Sequence, residues 1–327
     1  MAPENTPCRA PTASRVIKET GRTAAVAVLL GPTAIGKSVS ALQLARETGW
    51  DIVSCDSRQI YTGMDIGTAK PTLEERSIVH HWLIDILDPA EMYSACRFAE
   101  TAASVIRERA LAGKRVLIVG GTGLYFRALS EGLAEMVESE PQVKQLLMLE
   151  AASSGTETLY RELAAVDPPA AARIHANDLQ RIVRALAVYR QTGRPMSSQA
   201  AASHPPADMR FIIAKMSMPR LQLYERINAR VDAMVNAGLQ REFLSLLEAG
   251  YDRTAPGMQS VGYRELFDVI DGTCSFETAV ELIKRNSRRY AKRQTTWFSH
   301  QVGGKTFDAG TTWTALLEYF RENGMDV

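Results

Sequence analysis

The chain has 327 residues, of which 46% are hydrophobic and 23% charged, a composition typical of soluble globular proteins. This length predicts one large domain with an insertion, or two domains. The formal net charge of +1 excludes a polyanion-binding surface built from overall charge, so a nucleic-acid site requires a local cluster of cations.

Residues 1–21 are rich in proline, threonine, alanine and serine and lack the apolar core of a secretory signal, so we expect a disordered tail. No apolar run reaches the roughly 18 residues that span a bilayer, which predicts a protein without membrane contact. The four cysteines are far apart and form no C-x-x-C pair. This spacing predicts neither a zinc site nor a disulfide framework and favours a cytoplasmic location.

The first predicted strand, Ala24–Leu30, leads into "GPTAIGKS" and then into a helical pattern from Val39 to Glu47. This segment fits G-x-x-x-x-G-K-[ST] at every fixed position, in the strand–loop–helix context that the phosphate loop requires. In such loops backbone N–H groups turn toward phosphate oxygens, a lysine adds charge, and the last hydroxyl is placed to bind Mg²⁺. We predict a phosphate site made of Gly31, Pro32, Thr33, Ala34, Ile35, Gly36, Lys37 and Ser38, with Mg²⁺ on Ser38. Most such loops bind ATP or GTP, so nucleotide binding stays open here.

Further strands are predicted at Ile52–Ser54, within "HHWLIDILDP", and at 116–119, with a helix at Phe98–Leu111. Alternating strands and helices predict an α/β fold, a P-loop NTPase-like parallel sheet flanked by helices, with ligands at the carboxyl ends of its strands. Beyond about residue 132 the pattern is helical, until "RFIIAKMSM" predicts one more strand, followed by helices to near the end. The predicted layout is a core of 22–132 and 208–327 around an all-helical insertion at 133–207.

A P-loop NTPase normally has a second strand that ends in an acidic residue, which positions Mg²⁺ and the attacking water. Here the strand at 116–119 runs into "GGTG", without a carboxylate, and Asp85 is at best a weak substitute. The sequence therefore weakens, without excluding, a nucleotide-hydrolysing function.

Two polar residues follow predicted strands at the ligand-binding edge of the sheet. Asp56 suits a general base or Mg²⁺ ligand, and equally an Asx turn or helix N-cap. Thr122, between glycines, suits a hydroxyl donor to phosphate or simply a tight strand-to-helix turn. The spacing leaves both alternatives open.

The segment "ELIKRNSRRYAKRQTTWF" at 281–298 predicts a basic helix. Its cations form two stripes of i, i+4 spacing: Lys284, Arg288 and Lys292, and Arg285, Arg289 and Arg293. Like charges at this spacing repel, so a phosphate backbone partner is favoured over a merely solvated face. A second basic helix, "NDLQRIVRALAVYRQTGRP", is ambiguous because it also carries a packed apolar face.

In order along the chain, "GPTAIGKS", "SCDSRQIYTGMDIGTAKP", "HHWLIDILDP", "VGGTGLYFRALSEGL", "NDLQRIVRALAVY", "RINARVDAM", "VGYRE" and "AKRQTTWF" closely resemble the bacterial tRNA dimethylallyltransferases, or tRNA isopentenyltransferases. The resemblance runs from about Ala24 to Phe298. It implies that the phosphate loop holds the diphosphate of dimethylallyl diphosphate rather than a nucleotide. It further implies transfer of the dimethylallyl group to the N6 amine of the adenosine 3′ of the anticodon, in tRNAs that read codons beginning with U, with release of pyrophosphate. Separately from the resemblance, we expect a monomer.

Carried over by position, the resemblance implies that Asp56 is the general base, Thr122 contacts pyrophosphate, and Arg230 binds the diphosphate. The helical insertion is expected to grip the tRNA anticodon stem-loop, with Lys144 where an arginine is common. The implied tRNA contacts are Asp56, Ser57, Arg58, Gln59, Lys144, Gln180, Arg181, Ile182, Val183, Arg184, Met258, Gln259, Ser260, Val261, Gly262, Tyr263, Arg264, Arg289, Lys292, Arg293 and Gln294. The alternatives are a small-molecule or nucleotide kinase, a non-catalytic RNA-binding protein, and a prenyltransferase acting on free adenylate.

Overall fold

The computed structural model describes residues 23–132, 140–199 and 205–325. They form two compact units, the larger made of residues up to 130 and from 206 onward, the smaller of residues 131–205. The boundaries expected from the sequence, 133 and 207, differ from this division by two residues each. The predicted tail at 1–21 lies outside the described residues. Within the described ranges, no helix combines the length and apolarity that a membrane crossing needs.

The larger unit is built on a parallel sheet. Its strands are β1 (Ala24–Leu30), β2 (Asp51–Cys55), β3 (His81–Trp82), β4 (Val116–Gly120), β5 (Met209–Ser217) and β6 (Lys305–Asp308). They lie in the order β3-β2-β4-β1-β5-β6, and every neighbouring pair is parallel. The predicted parallel α/β fold is confirmed.

Helices flank this sheet on both faces. Those described in the larger unit are α1 (Lys37–Thr48), α2 (Leu73–Ile78), α3 (Ala95–Leu111), α4 (Gly123–Glu131), α9 (Arg220–Ala237), α10 (Leu239–Glu248), α11 (Phe267–Ile270), α12 (Phe276–Gln301) and α13 (Trp313–Glu322). Side-chain caps fix several starts: Ser94 accepts from the third residue of its helix, as does Ser275. Gly49, at φ 69°, ends α1.

The central strands β1, β2 and β4 are largely buried on both faces, as expected of a parallel sheet covered by helices. In β1, Ala27 and Leu29 join the core on one side of the sheet, while Val26, Val28 and Leu30 join the core on the other. A third apolar cluster, which includes Tyr263 and Phe243, packs beside the chain that follows β2. The sheet is thus a rigid base for the loops at its carboxyl edge.

One predicted strand is shorter than expected, and one strand was not predicted. The strand in "HHWLIDILDP" keeps only His81–Trp82, because Leu83 and Asp85 adopt left-handed backbone at φ 63° and 53° and end the extended run. The prediction of helices alone after β5 missed β6, which pairs with β5 at the edge of the sheet. Its sequence, "KTFD", is short and largely exposed, so it lacks the apolar pattern of a buried strand.

The smaller unit contains α5 (Pro141–Ser154), α6 (Thr156–Val166), α7 (Pro168–Ala171), α8 (Leu179–Thr192) and a 3₁₀ turn (Met196–Gln199). Arg190 ties three of its helices together through ion pairs of 2.8 Å to Glu150 and to Glu162. Two predicted tRNA contacts need correction here: Ile182 and Val183 are 0% and 4% exposed within the core of this unit. Their side chains are packing residues, so the predicted tRNA contact at these positions is confined to the backbone.

Candidate active site

Strand register brings three loops to one edge of the sheet. Gly120, the last residue of β4, pairs with Leu30 on one side and with Cys55 on the other. The residues that directly follow the three strands therefore leave the sheet at the same level. They are Gly31 after β1, Asp56 after β2 and Gly121 after β4. This arrangement follows from the fold and explains why motifs far apart in sequence converge.

The phosphate loop has the geometry of an anion site. Ala34 and Gly36 adopt left-handed backbone at φ 63° and 106°, and α1 begins at Lys37 without a side-chain cap. Uncapped N–H groups in the first helical turn attract anions. The Lys37 ammonium donates to the carbonyl of Pro32 at 2.7 Å, which closes the loop on itself. Gly31 lies behind the loop, where an added Cβ would approach the Met216 carbonyl oxygen to 3.1 Å.

One cavity lies between this loop and the chain that follows β2. Residues of the phosphate loop that line it are Thr33, Ala34, Lys37 and Ser38, and they are joined by Asp56, Arg58, Arg230, Tyr290 and Arg293. Ile227, Val231 and Met234 of α9, with Ile283 of α12, give it an apolar wall. Ile227, Val231 and Met234 recur at helical spacing along α9, on the face that also carries Arg230. This pattern could have indicated the cavity wall from the sequence. The cavity can hold a molecule that is charged at one end and apolar at the other.

The charges in the cavity influence one another. Desolvation lowers the pKa of Lys37 to about 7, the Asp56 carboxylate opposes this shift, and the positive charge of Arg230 adds to it. Burial also lowers the pKa of Arg230, again opposed by Asp56. The Arg230 guanidinium is 3.5 Å from the Thr33 hydroxyl. Two cations are therefore held beside the phosphate loop with one carboxylate close enough to compensate them.

Asp56 forms the Asx turn that the sequence left open. Its Oδ1 accepts the backbone N–H of Arg58 at 2.8 Å, which fixes the carboxylate at the cavity wall. The following residue, Ser57, donates its N–H to the Thr122 hydroxyl at 3.0 Å. Gln59 also lines the cavity, with its amide accepting from Ser54 and donating to the Ala69 carbonyl, and its contact with tRNA stays a prediction.

Thr122 supports the Asp56 loop. Its hydroxyl lies 3.4 Å from the Ser57 hydroxyl and is hydrogen-bonded to Tyr290. Burial raises the pKa of Tyr290 to about 12, and the Asp56 carboxylate contributes to this rise, so this phenol stays protonated. The expected contact of Thr122 with pyrophosphate remains a prediction.

Asp85 does not replace the acidic residue missing after β4. Its carboxylate is ion-paired with the ammonium of Lys70 and, at 2.6 Å, with Arg76. The side chain of Lys70 is 1% exposed and also pairs with Asp65. Asp85 therefore balances a buried cation rather than serving as a metal ligand.

The basic helix, α12, presents only part of its charge to solvent. Lys284 forms an ion pair of 2.8 Å with Asp232 of α9, and Arg288 donates to Asn228 of α9 at 2.6 Å. The cations of this helix that remain accessible are Arg285, Arg289, Lys292 and Arg293. Of the two predicted stripes, Arg285, Arg289 and Arg293 are all exposed, whereas only Lys292 is exposed in the stripe that it shares with Lys284 and Arg288.

Several other predicted tRNA contacts are buried. In the 258–264 segment, Met258 and Tyr263 are 0% exposed and belong to the apolar core. Ser260 is 3% exposed and donates to the Gly257 carbonyl. Gln294 is 6% exposed with its amide bound inside the protein. Met258 and Tyr263 are therefore packing residues, which a sequence motif does not separate from exposed ones. Ser260 and Gln294 line the cavity despite their small exposed fractions, so their contact with tRNA stays a prediction.

The remaining predicted contacts have surfaces available to a ligand. Gln259, Val261, Gly262 and Arg264 line the cavity, as do Arg58 and Arg293. In the smaller unit Gln180 and Arg181 are exposed, Lys144 and Arg184 half-buried, and Arg181 pairs with Asp178 at 3.4 Å. Within each unit, these residues stay candidates for tRNA contact.

Comparison with known proteins gives a consistent result. A family model described as IPP transferase matches residues 59–301. The chain is 48% identical to a tRNA dimethylallyltransferase of Geobacter metallireducens, over 86% of this chain and 91% of the relative. It is 46% identical to the corresponding protein of Halorhodospira halophila, over 88% of this chain and 94% of the relative.

Solved structures agree. The full-length tRNA isopentenylpyrophosphate transferase of Bacillus halodurans is 37% identical, with a TM-score of 0.65 over 91% of this chain and 95% of that one. A eukaryotic dimethylallyltransferase acting on tRNA is 27% identical, with a TM-score of 0.69 over 87% of this chain and 74% of that one.

Proposed function

The chain belongs to the IPP transferase family and is a tRNA prenyltransferase, and from this premise we propose the reaction in detail. It moves the dimethylallyl group from dimethylallyl diphosphate to the N6 amine of the adenosine 3′ of the anticodon, in tRNAs that read codons beginning with U. The C–O bond to the diphosphate breaks, the N–C bond forms, and pyrophosphate leaves with the electron pair.

Asp56 is the general base in this proposal. The adenine amine is a weak nucleophile because its lone pair is delocalised into the ring, so it gains from a carboxylate that orients it and accepts its proton. Asp56 is suited to this role because its Asx turn holds the carboxylate at the cavity wall. The adenine has to leave its stack to enter the cavity, at a cost of roughly a few kcal/mol.

The phosphate loop and Arg230 bind the leaving group. Negative charge grows on the diphosphate as the C–O bond breaks, and Lys37, Arg230 and the N–H groups at the start of α1 lie beside the same cavity. The apolar wall from α9 accepts the dimethylallyl chain. Thr122 contributes by supporting the loop that carries Asp56 and by contact with pyrophosphate.

Mg²⁺ is the proposed cofactor. Prenyl diphosphate transfer enzymes typically use a divalent metal, and Mg²⁺ commonly takes few protein ligands while phosphates and water supply the rest. The described residues contain no group of three or more metal-binding side chains, but Ser38 presents a hydroxyl beside Lys37 in the cavity. A single hydroxyl next to a diphosphate fits this pattern. The bound metal would supply charge neutralisation at the diphosphate.

The tRNA anticodon stem-loop contacts both units in this proposal. The exposed cations of α12, with Arg289, Lys292 and Arg293, extend from the cavity, which Arg293 lines. The smaller unit adds Lys144, Gln180, Arg181 and Arg184. We further propose that the enzyme is cytoplasmic, since tRNA is the acceptor, and that it acts as a monomer.

One observation carries the proposal: a single cavity joins a carboxylate, two cations, a phosphate loop and an apolar wall. The test is incubation of the purified protein with labelled dimethylallyl diphosphate, Mg²⁺ and unmodified tRNA, with a parallel ATP reaction. Label should move to tRNA, and not to the same tRNA with guanosine in place of the target adenosine. ATP hydrolysis stimulated by tRNA, without transfer of label, would instead favour a nucleotide-hydrolysing enzyme.

A further inference from the structure

One buried amide joins three segments of the site. Gln294 of α12 accepts the N–H of Thr33 on its Oε1 at 2.9 Å and donates from Nε2 to the Gly121 carbonyl at 2.8 Å. The residue is 6% exposed. Both ends of the amide are therefore satisfied by backbone groups, one in the phosphate loop and one in the turn after β4.

The turn after β4 packs closely against α12, with glycines at the points of contact. A Cβ on Gly121 would lie 2.4 Å from the Gln294 amide nitrogen, and a Cβ on Gly123 would lie 2.2 Å from the indole of Trp297. A side chain at position 121 would displace the Gln294 amide, and one at position 123 would displace the Trp297 indole. The Gln294 hydrogen bonds are thus part of a closely fitted surface and not an incidental pair.

Thr33 is held from two directions. Gln294 binds its backbone N–H, and the Arg230 guanidinium lies 3.5 Å from its hydroxyl. The next residue, Ala34, adopts the left-handed backbone that turns the loop. The orientation of Thr33 therefore affects both the path of the phosphate loop and the position of Arg230.

We propose that Gln294 is a positioning residue for the diphosphate: through Thr33 it fixes the phosphate loop and Arg230 in the geometry that binds the leaving group. This inference rests on the proposed function and adds to it a residue at the cavity wall whose amide is bound to the backbone of the site. A side chain of equal length without hydrogen bonds leaves the Thr33 N–H and the Gly121 carbonyl unpaired, which frees the loop to relax.

The first test measures inorganic pyrophosphate binding by calorimetry, without tRNA or turnover. The Q294M variant should bind pyrophosphate about 10-fold more weakly, the equivalent of one missing hydrogen bond of about 1.4 kcal/mol. In steady-state assays its KM for dimethylallyl diphosphate should rise by a similar factor, while its KM for tRNA changes less than about twofold. Unchanged pyrophosphate affinity and unchanged KM for the prenyl donor would overturn the inference.

The Q294E variant provides a pH-dependent signature. Its protonated carboxyl can accept from the Thr33 N–H and donate to the Gly121 carbonyl, whereas its ionised form places two oxygens against each other. Pyrophosphate affinity, expressed as the ratio of variant to wild type, should recover as pH falls. A purely structural defect would give a ratio that does not change with pH and would count against the positioning role.

The matched control is Q301M, at the exposed last position of the same helix, which should leave both KM values and the thermal midpoint unchanged. A wild-type protein that binds pyrophosphate but transfers no prenyl group would refute the proposed function alone. An active wild type with an unaffected Q294M variant would refute this inference alone.

Discussion

Replacing Asp56 with asparagine separates its chemical role from its structural one. Asparagine keeps a carbonyl oxygen for the Arg58 N–H, which Asp56 Oδ1 accepts at 2.8 Å, so the loop should hold its shape. It loses the ability to accept a proton. Because general bases typically contribute about 10²–10⁴-fold to rate, the D56N variant should lose transfer activity by that factor.

Binding should respond differently from rate. The Asp56 carboxylate interacts with the charges of Lys37 and Arg230, so its removal takes a negative charge away from the diphosphate site. At a pH low enough to keep Lys37 protonated, pyrophosphate binding by D56N should therefore be no weaker than wild type, and tRNA affinity should change less than about twofold. The assay is single-turnover transfer of labelled dimethylallyl groups, paired with separate binding measurements.

The D56A variant is the structural comparison. It removes both the carboxylate and the acceptor of the Arg58 N–H, so it should unfold about 0.5–1.5 kcal/mol more easily than D56N. A D56N variant that keeps transfer within about fivefold of wild type would refute Asp56 as the base. Equal loss of tRNA binding and transfer would likewise show that the residue acts in recognition.

Charge and packing lead to three further predictions. The pKa of Lys37 in the free protein lies at about 7, and a bound anion raises it. Pyrophosphate binding at about pH 8 should therefore take up a proton and weaken as pH rises. Calorimetry in buffers of different ionisation enthalpy detects this uptake, which K37M should abolish. The double variant R289M/R293M should bind tRNA more weakly, with a salt slope reduced by about one for each phosphate that these arginines neutralise in the wild type. G123A should destabilise the fold by about 1–3 kcal/mol in denaturant titration, because the new Cβ meets the indole of Trp297 at 2.2 Å.

The arginine double variant and G123A each have a matched control, and the Lys37 prediction has a result that would refute it directly. K284M removes a cation that is paired with Asp232, so it should lower stability while leaving the tRNA salt slope unchanged. G303A adds a Cβ where no atom lies within 4 Å and should be tolerated. An unaltered slope in the arginine double variant would remove α12 from the tRNA surface. Absence of proton uptake at alkaline pH would mean that Lys37 is already charged in the free protein.

Local patterns predicted the elements that carry strong signals. The buried run of β1, the phosphate loop and the parallel sheet were predictable because apolar strands and glycine-rich turns have short-range signatures. β6 was not, because the exposed "KTFD" forms a strand only through its pairing with β5. Its conformation depends on a distant partner and leaves no local pattern.

The candidate site likewise contains residues that the sequence could identify and residues that it could not. Candidate residues of the phosphate loop and Asp56 were identifiable from motif and position at strand ends. The motif could not distinguish Gln294 and Tyr263, which are buried, from Arg293, which is exposed, since burial depends on which face of a helix or turn meets the core. The apolar wall of α9 was missed because its residues look like ordinary helix packing until a cavity is seen beside them.

The order of strands also constrains how the protein is made. β1 pairs along its whole length with β5, although the smaller unit separates the two strands in the chain. During synthesis β1 therefore emerges with an apolar, unpaired edge, and this edge stays open until residues 209–217 have left the ribosome. Such edges promote aggregation of nascent chains. A ribosome stalled before that point would release a fragment that contains the complete phosphate loop but neither Arg230 nor Gln294, so premature termination should yield an insoluble product rather than a partly active one.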